Sequence, residues 1–250
     1  HQVMCGRITL AVSANEIADF FQLSEIPVLE PRYNIAPTQN VAVLRFAPGK
    51  NEKELALLRW GLVPSWAEDL SAGSRLINAR SETVTQKPAF REAFQKRRCL
   101  VIADGFYEWK KQDGAKQPFI FRVKDQICFT MAGLWDSIET PAGSIETVTI
   151  LTTVANELAQ PLHDRMPVIL DHQDMASWLD PFAQDSEQLR TLLRPFPADR
   201  MSLEPVGDFV NDPRNEGLQC LAPPGPKPAE ESIKPPKRRR GEDENQGFLF

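Results

Sequence analysis

The residue with the most distinctive potential chemistry is Cys5, which follows Met4 near the start of the chain. Once the residues before it are removed, Cys5 carries an α-amine beside its thiol. The amine of such an aminothiol condenses with an aldehyde to an imine, and the thiol then closes a thiazolidine ring with high effective molarity. Because the pKa of an α-amine is about 7.7–8.0, roughly a tenth of it is neutral at pH 7. Cys5 is therefore a candidate for aldehyde capture. Taken alone, the residue could equally be a cysteine without a function, which is the simpler interpretation.

Two titratable residues could move protons for such a reaction. Glu108 lies in the apolar run ADGFYEW, where burial would raise its pKa and suit it to general acid–base work. An outward-facing strand residue is the alternative reading of Glu108. His163 lies between a loop-like stretch and the apolar run MPVIL, and histidine titrates near neutrality. A structural histidine, hydrogen-bonded by Asp164 or Arg165, is the alternative there.

Polar and aromatic residues that suit nucleic acid form a third set. In the run INARSET, the Asn78 side chain can donate hydrogen bonds and the Arg80 guanidinium can hold a phosphate with two parallel bonds. Pro37 and Trp66 could wedge between bases or stack on them. Each of these residues also has an ordinary structural reading, and for a tryptophan that reading is burial in the core.

Composition limits the classes of protein to which the chain can belong. It has 250 residues, of which 42% are hydrophobic, and a formal net charge of −5. No apolar run reaches the ~18 residues of a membrane span, and the N-terminus lacks a secretory signal. We therefore expect a cytoplasmic monomer with no membrane contact. The negative charge predicts only modest affinity for nucleic acid unless a covalent bond forms.

Cysteine and histidine usage argues against a metal site and against a disulfide framework. The four cysteines lie apart, without a CxxC pair, and the chain has three histidines. That set is poor for zinc. Cys99 and Cys128 lie in apolar strand-like runs and are expected to be buried structural thiols. We expect neither a metal nor a cofactor.

The chain divides into three parts. Residues 1–4 resemble a leader or a vector-derived extension, residues 5–222 read as one domain, and residues 223–250 are rich in Pro, Lys, Arg and Glu and should be disordered. In the domain, Ser13 and Glu16 form a capping box that opens a helix, the run PRYNIAP (31–37) reads as a loop, and Asp113-Gly114 marks a hairpin tip. Strand-like runs cluster in the middle. The predicted fold is therefore α+β, a single β-rich domain with a largely antiparallel, barrel-like sheet and flanking helices.

Six motifs in order give the chain a family resemblance. They are CGR at Cys5, RYNIAP, RWGLVPSW, INARSET, ADGFYEW and HDRMPVIL. Together they resemble the SRAP family, the SOS-response-associated peptidase domain. The resemblance covers residues 5 to about 222 and implies an abasic-site sensor that binds single-stranded DNA. It also implies a thiazolidine DNA–protein crosslink through N-terminal Cys5, which shields the lesion, together with autoproteolytic release of the leader and lyase-like reversal.

The resemblance also implies roles for individual residues. Asn78 would hold Cys5 and the sugar, Glu108 would shuttle protons and His163 would assist beside it. Arg7 and Arg80 would grip the phosphates that flank the lesion, with Pro37 and Trp66 as the wedge.

The tail ends in QGFLF, which resembles the pentapeptide with which bacterial proteins bind the sliding clamp. Gln246, Leu249 and Phe250 occupy the strong positions of that motif. It predicts recruitment to replication forks and a bacterial, nucleoid-associated protein, while a chance apolar end is the alternative.

Two other functions stay open at this point. One is a thiol peptidase using Cys5, His163 and Glu108, which needs a thiolate and not an amine. The other is a non-covalent adaptor for single-stranded DNA, whose binding would survive Cys5→Ala and fall steeply with salt.

Overall fold

Strands form most of the regular structure. The computed structural model describes residues 5–225 without 26, 113, 114 and 184, and in these residues it has thirteen strands and four α-helices. The strands are β1 (Ile8–Leu10), β2 (Arg32–Ile35), β3 (Asn40–Phe46), β4 (Lys53–Trp60), β5 (Asn78–Arg80), β6 (Arg98–Ala103), β7 (Gly105–Gln112), β8 (Ala115–Val123), β9 (Phe129–Thr140), β10 (Gly143–Val154), β11 (Arg165–Pro167), β12 (Ile169–Leu170) and β13 (Met201–Pro205). The helices are α1 (Ala14–Phe21), α2 (Pro88–Lys96), α3 (His172–Leu179) and α4 (Ser186–Thr191).

Five strands close into a barrel. The order β10-β4-β3-β6-β9 returns to β10 because β9 and β10 also pair. Only the β4–β10 contact in this ring is parallel. Every residue of β6 is buried, because its outer face lies under α2 and α3 while its inner face lines the core. A strand covered on both faces reads as a continuous apolar run, as RCLVIA does.

A second sheet carries the N-terminal residues. Its order is β13-β8-β7-β1-β2, and all its pairings are antiparallel. The prediction of a loop over PRYNIAP was wrong, since residues 32–35 form the edge strand β2, with Ile35 opposite Ile8. The two prolines lie outside these four residues, so they remove no donor from the ladder. The predicted α+β fold with a largely antiparallel, barrel-like sheet is confirmed.

Helix α1 begins where the sequence predicts it. Ser13 and Glu16 form both hydrogen bonds of a capping box at the start of α1. Gln112 pairs with Ala115 at the end of the β7–β8 hairpin, whereas its predicted tip, Asp113-Gly114, lies outside the described residues. Within the described part of the chain, no helix is both long and apolar enough to cross a membrane.

Candidate active site

Cys5 and Glu108 meet on the second sheet. Strands β1 and β7 pair antiparallel, and the Tyr107 amide donates to the carbonyl of Arg7. This pairing sets Cys5, just before β1, beside Glu108 on β7. The Cys5 backbone nitrogen donates a hydrogen bond of 2.6 Å to Glu108 Oε1. The predicted acid–base residue therefore lies directly at the predicted nucleophilic nitrogen.

The alternation of β7 explains why Glu108 points inward. Phe106 and Glu108 share one face of the strand and Phe106 packs in the main core, while Tyr107 and Trp109 pack in a smaller cluster on the other face. Glu108 is only 3% exposed. The structural alternative considered for Glu108, an outward-facing strand residue, is wrong for this carboxyl group.

Burial determines the protonation behaviour of both groups. Loss of solvent raises the pKa of Glu108 to about 7, although hydrogen bonds from the amides of Cys5 and Trp109 act in the opposite direction. A carboxyl group with this pKa can both accept and give up a proton near neutrality. Burial, and next the charge of Glu108, raise the pKa of the Cys5 thiol well above its usual value. The thiolate is therefore strongly disfavoured here.

The backbone at Cys5 is unusual as well. Its φ is 42°, in the left-handed region that side chains with a Cβ rarely adopt. Such conformations cost of order 1–3 kcal/mol and cluster at functional sites. The peptide bond that precedes Cys5 is therefore attached to a strained residue whose nitrogen contacts a buried carboxyl group.

A second group of site residues surrounds the end of β10. Strand β5 pairs parallel with β10, which sets Asn78 opposite Ile150 and Arg80 opposite Thr152. On the other side β11 pairs antiparallel with β10, with Pro167 also opposite Thr152. Asn78 and Arg80 therefore lie on one side of Thr152 and the HDRMP segment on the other. Arg80 is exposed.

His163 is anchored through one ring nitrogen. Its Nδ1 lies 2.8 Å from Asp164 Oδ1 and accepts a hydrogen bond of 3.1 Å from the Arg165 amide. The side chain is 13% exposed. Both contacts use Nδ1, so neither of them occupies Nε2. The structural reading of His163 and the catalytic one are therefore compatible.

Arg165 and Glu82 form an ion pair that the sequence reading did not single out. Arg165 donates two parallel hydrogen bonds of 2.9 Å each to the two carboxylate oxygens of Glu82. Its Nη2 also donates to the Thr152 carbonyl at 2.6 Å. Glu82 lies in the motif INARSET and Arg165 in the motif HDRMPVIL. The sequence signal that could have identified Arg165 was a cation two residues after His163.

Arg7 is half-buried and hydrogen-bonded to distant segments of the chain. Its Nη1 donates to Asn34 Oδ1 at 2.6 Å and to the Val210 carbonyl at 2.7 Å, and its guanidinium lies over the Trp109 ring. Burial lowers the pKa of this guanidinium. These contacts tie the N-terminal strand to the segment around Val210. Phosphate binding by Arg7 stays a prediction.

The two wedge residues differ in exposure. Pro37 is half-buried next to the end of β4, where the Thr38 amide donates to the Trp60 carbonyl at 2.8 Å. Trp66 follows β4 and is 67% exposed, unusual for a tryptophan. The alternative interpretation of Trp66, as a tryptophan buried in the core, is therefore wrong.

The site thus consists of two groups, Cys5 with Glu108 on the second sheet and Asn78, Arg80 and His163 around the end of β10. All four cysteines are buried, as expected for Cys99 and Cys128. In the part of the chain that the structure describes, no three metal-binding side chains cluster. Residues 1–4 and the predicted clamp motif, Gln246, Leu249 and Phe250, lie outside the described residues.

Comparison with known proteins agrees with the motifs. The model of the family "SOS response associated peptidase (SRAP)" matches residues 4–213. The abasic site processing protein YoqW of Bacillus subtilis is 42% identical over 223 residues, which cover 87% of this chain and 99% of that protein. The abasic site processing protein HMCES of Xenopus tropicalis is 32% identical and is covered over 66% of its length. A crystal structure of a Bacteroides thetaiotaomicron protein aligns with a TM-score of 0.78 at 26% identity, over 88% of this chain and 99% of that one. The chain belongs to the SRAP family.

Proposed function

We propose that this protein processes abasic sites by capturing them covalently in single-stranded DNA. Its relatives YoqW and HMCES are named as abasic site processing proteins. The observation that carries the proposal is the 2.6 Å contact between the Cys5 nitrogen and Glu108 Oε1. A buried carboxyl group in contact with this nitrogen supports the proposal that Glu108 carries protons while the nitrogen attacks the aldehyde.

The reaction follows from these groups. An abasic deoxyribose opens to an aldehyde, and the Cys5 amine adds to it and loses water to give an imine. The Cys5 sulfur then adds to the imine carbon while its proton passes to the nitrogen, which closes the thiazolidine. With a pKa of about 7, Glu108 can take the proton from the ammonium form of Cys5 and return one to the departing hydroxyl. The same steps in the reverse order release the DNA.

The second group of residues would hold the substrate. Asn78 would position the sugar together with Cys5, and His163 Nε2 would serve the oxygens of the sugar and phosphate. Arg80 is exposed and can bind a flanking phosphate. Trp66 offers an exposed ring on which a base can stack. In this proposal both groups act on one lesion.

Cys5 must first become the N-terminal residue. In the chain that includes residues 1–4, the nitrogen of Cys5 is an amide, which forms no imine. We propose that the bond between Met4 and Cys5 is hydrolysed, either by an aminopeptidase or by the protein itself. In self-cleavage, water would add to the Met4 carbonyl and Glu108 would protonate the leaving nitrogen, with which it is already in contact. The strained φ of Cys5 favours breaking this bond.

The protonation state of the thiol argues against the peptidase alternative. A thiol peptidase attacks with a thiolate, and its cysteine normally has a lowered pKa. Burial raises the pKa of the Cys5 thiol instead. Aldehyde capture begins at the amine and does not need a preformed thiolate.

Intact mass measurement tests the proposal. Protein that begins at Cys5 is incubated with single-stranded DNA carrying one abasic site, beside Cys5→Ala and the chain that retains residues 1–4. A DNA-sized adduct only with N-terminal Cys5 is expected. DNA with a tetrahydrofuran analogue, which has no aldehyde, is the matched substrate control. Absence of an adduct from confirmed N-terminal Cys5 would refute the covalent mechanism.

A further inference from the structure

The ion pair between Glu82 and Arg165 occupies a surface that the proposed function assigns to phosphates. Arg80 on β5 stands opposite Thr152 and Arg165 on β11 stands opposite Val154, so the two cations flank the same end of β10. Glu82 comes two residues after Arg80 and binds Arg165 with both oxygens. The carboxylate is in direct contact with Arg165 and also feels the positive charge of Arg80.

The geometry of this pair is that of an anion site. A guanidinium presents two parallel N–H groups that match a carboxylate and a phosphate equally well. In Arg165 the Nη1 and Nη2 groups fill that role, and both are taken by Glu82 at 2.9 Å. A phosphate can bind this edge of Arg165 only where the Glu82 carboxylate now lies.

Arg165 does not depend on Glu82 for its position. Its Nη2 donates to the Thr152 carbonyl at 2.6 Å, and its Nε to Thr152 Oγ1 at 3.3 Å. Thr152 is buried within β10, so these acceptors are fixed. The side chain of Arg165 is only 11% exposed, whereas that of Glu82 is 47% exposed. The Glu82 carboxylate can therefore move into solvent while the Arg165 guanidinium stays in place.

Glu82 is charged in this setting. Although partial burial by itself would raise the pKa of Glu82, the hydrogen bonds from Arg165 and the charges of Arg165 and Arg80 hold it below its usual value. A phosphate that replaces the carboxylate can form the same two parallel hydrogen bonds with Arg165. The displacement is then close to an exchange of one anion for another.

We propose that Glu82 is a built-in counterion that occupies the phosphate-binding edge of Arg165 and is displaced from it when single-stranded DNA binds. The inference rests on the proposed function, since it assumes that DNA reaches this surface. Its consequence is that Glu82 lowers the non-covalent affinity for DNA and the number of phosphates held at once. Arg165 then becomes a second phosphate-binding cation, besides Arg80, only when the DNA strand displaces Glu82.

Non-covalent binding tests this directly. The full chain with Cys5→Ala, which cannot crosslink, is titrated against an undamaged single-stranded oligonucleotide at 50–200 mM salt. Glu82→Gln, which keeps the shape and removes the charge, should tighten Kd about three- to tenfold at the lowest salt. It should also steepen the dependence of log Kd on log salt by about one phosphate contact.

The matched control removes the same charge elsewhere. Glu139 is exposed and pairs with Ser144, eight residues before Thr152 on β10, about 27 Å away along the strand. Glu139→Gln should change Kd less than twofold. In an Arg165→Gln background, the gain from Glu82→Gln should shrink to that of the control.

Each outcome bears on one of the two proposals. Equal effects of Glu82→Gln and Glu139→Gln would overturn the counterion role, as would weaker binding by Glu82→Gln, which would mean that Glu82 holds Arg165 ready for DNA. Absence of any binding to single-stranded DNA would instead count against the proposed function. An unchanged thermal transition of Glu82→Gln confirms that the comparison is between folded proteins.

Discussion

Replacing Glu108 with glutamine should remove activity and at the same time change how stability depends on pH. Glu108 is 3% exposed, and burial raises its pKa from 4.5 to about 7. Between these two values the folded protein retains a proton that the unfolded chain has lost. The free energy of unfolding must therefore fall as pH rises through this window. Glutamine does not titrate, so Glu108→Gln escapes this loss.

The size of the effect follows from the shift. A change from 4.5 to about 7 at 1.36 kcal/mol per pKa unit amounts to about 3 kcal/mol over the whole window. Between pH 5.0 and 8.5 the wild type should lose about 2–3 kcal/mol more than Glu108→Gln. Any constant penalty from burying the new amide cancels in this comparison, because only the difference between the two pH values is used.

Urea unfolding of the full chain at a series of pH values measures this difference. The exposed Glu139→Gln should follow the wild type at every pH, which controls for general charge effects. The rate of adduct formation by N-terminal Cys5 should fall by about 10²–10⁴-fold in Glu108→Gln. Parallel stability curves for wild type and Glu108→Gln would refute the raised pKa, and with it the argument that burial prepares Glu108 for proton transfer.

Four further changes test the predicted DNA contacts, the structural role of Arg7 and the tail motif. Arg80→Ala should reduce the salt dependence of binding by about one phosphate contact, measured by fluorescence titration. Arg7→Lys, which keeps the charge, should lower the free energy of unfolding by about 1–3 kcal/mol, because it disrupts the partly buried hydrogen bonds to Asn34 and Val210. Trp66→Ala should change stability by less than about 0.5 kcal/mol, yet weaken binding to single-stranded DNA by about 1–3 kcal/mol if a base stacks there. Deleting residues 246–250 should abolish capture by an immobilised bacterial sliding clamp without altering adduct formation, and retained capture would refute the tail motif.

The sequence predicted the type of fold but not which face of β7 is the interior. In ADGFYEW the alternation groups Phe106 with Glu108, yet Tyr107 and Trp109 on the other face are equally apolar. The structure resolves this because Val206, Val210 and Cys220 cover the outer face and make a second small core there. A strand covered on both sides loses the polar alternation that would have identified its interior.

Long-range partners set the other limit on what the sequence could predict. The contact between Cys5 and Glu108 joins residues 103 positions apart, so no local spacing indicates it. The guanidinium of Arg165 likewise pairs with Glu82, 83 positions away. Arg7 shows the same effect, since Val210 lies 203 positions away. The motifs indicated which residues matter, and only the fold shows which of them touch.

Glu108 and Glu82 differ in how their surroundings affect the charge of the carboxyl group: burial raises the pKa of Glu108, whereas neighbouring cations lower that of Glu82. The interior of the protein makes it costly to ionise Glu108, and the same loss of solvent places its pKa at about 7, where proton transfer works at neutral pH. On the surface, Glu82 neutralises one of the two cations beside β10, and the whole chain carries a net charge of −5. Both features limit how long DNA stays bound by charge alone. In the proposed function, a covalent bond to Cys5, beside Glu108, would keep the protein on the lesion where charge alone holds DNA only briefly.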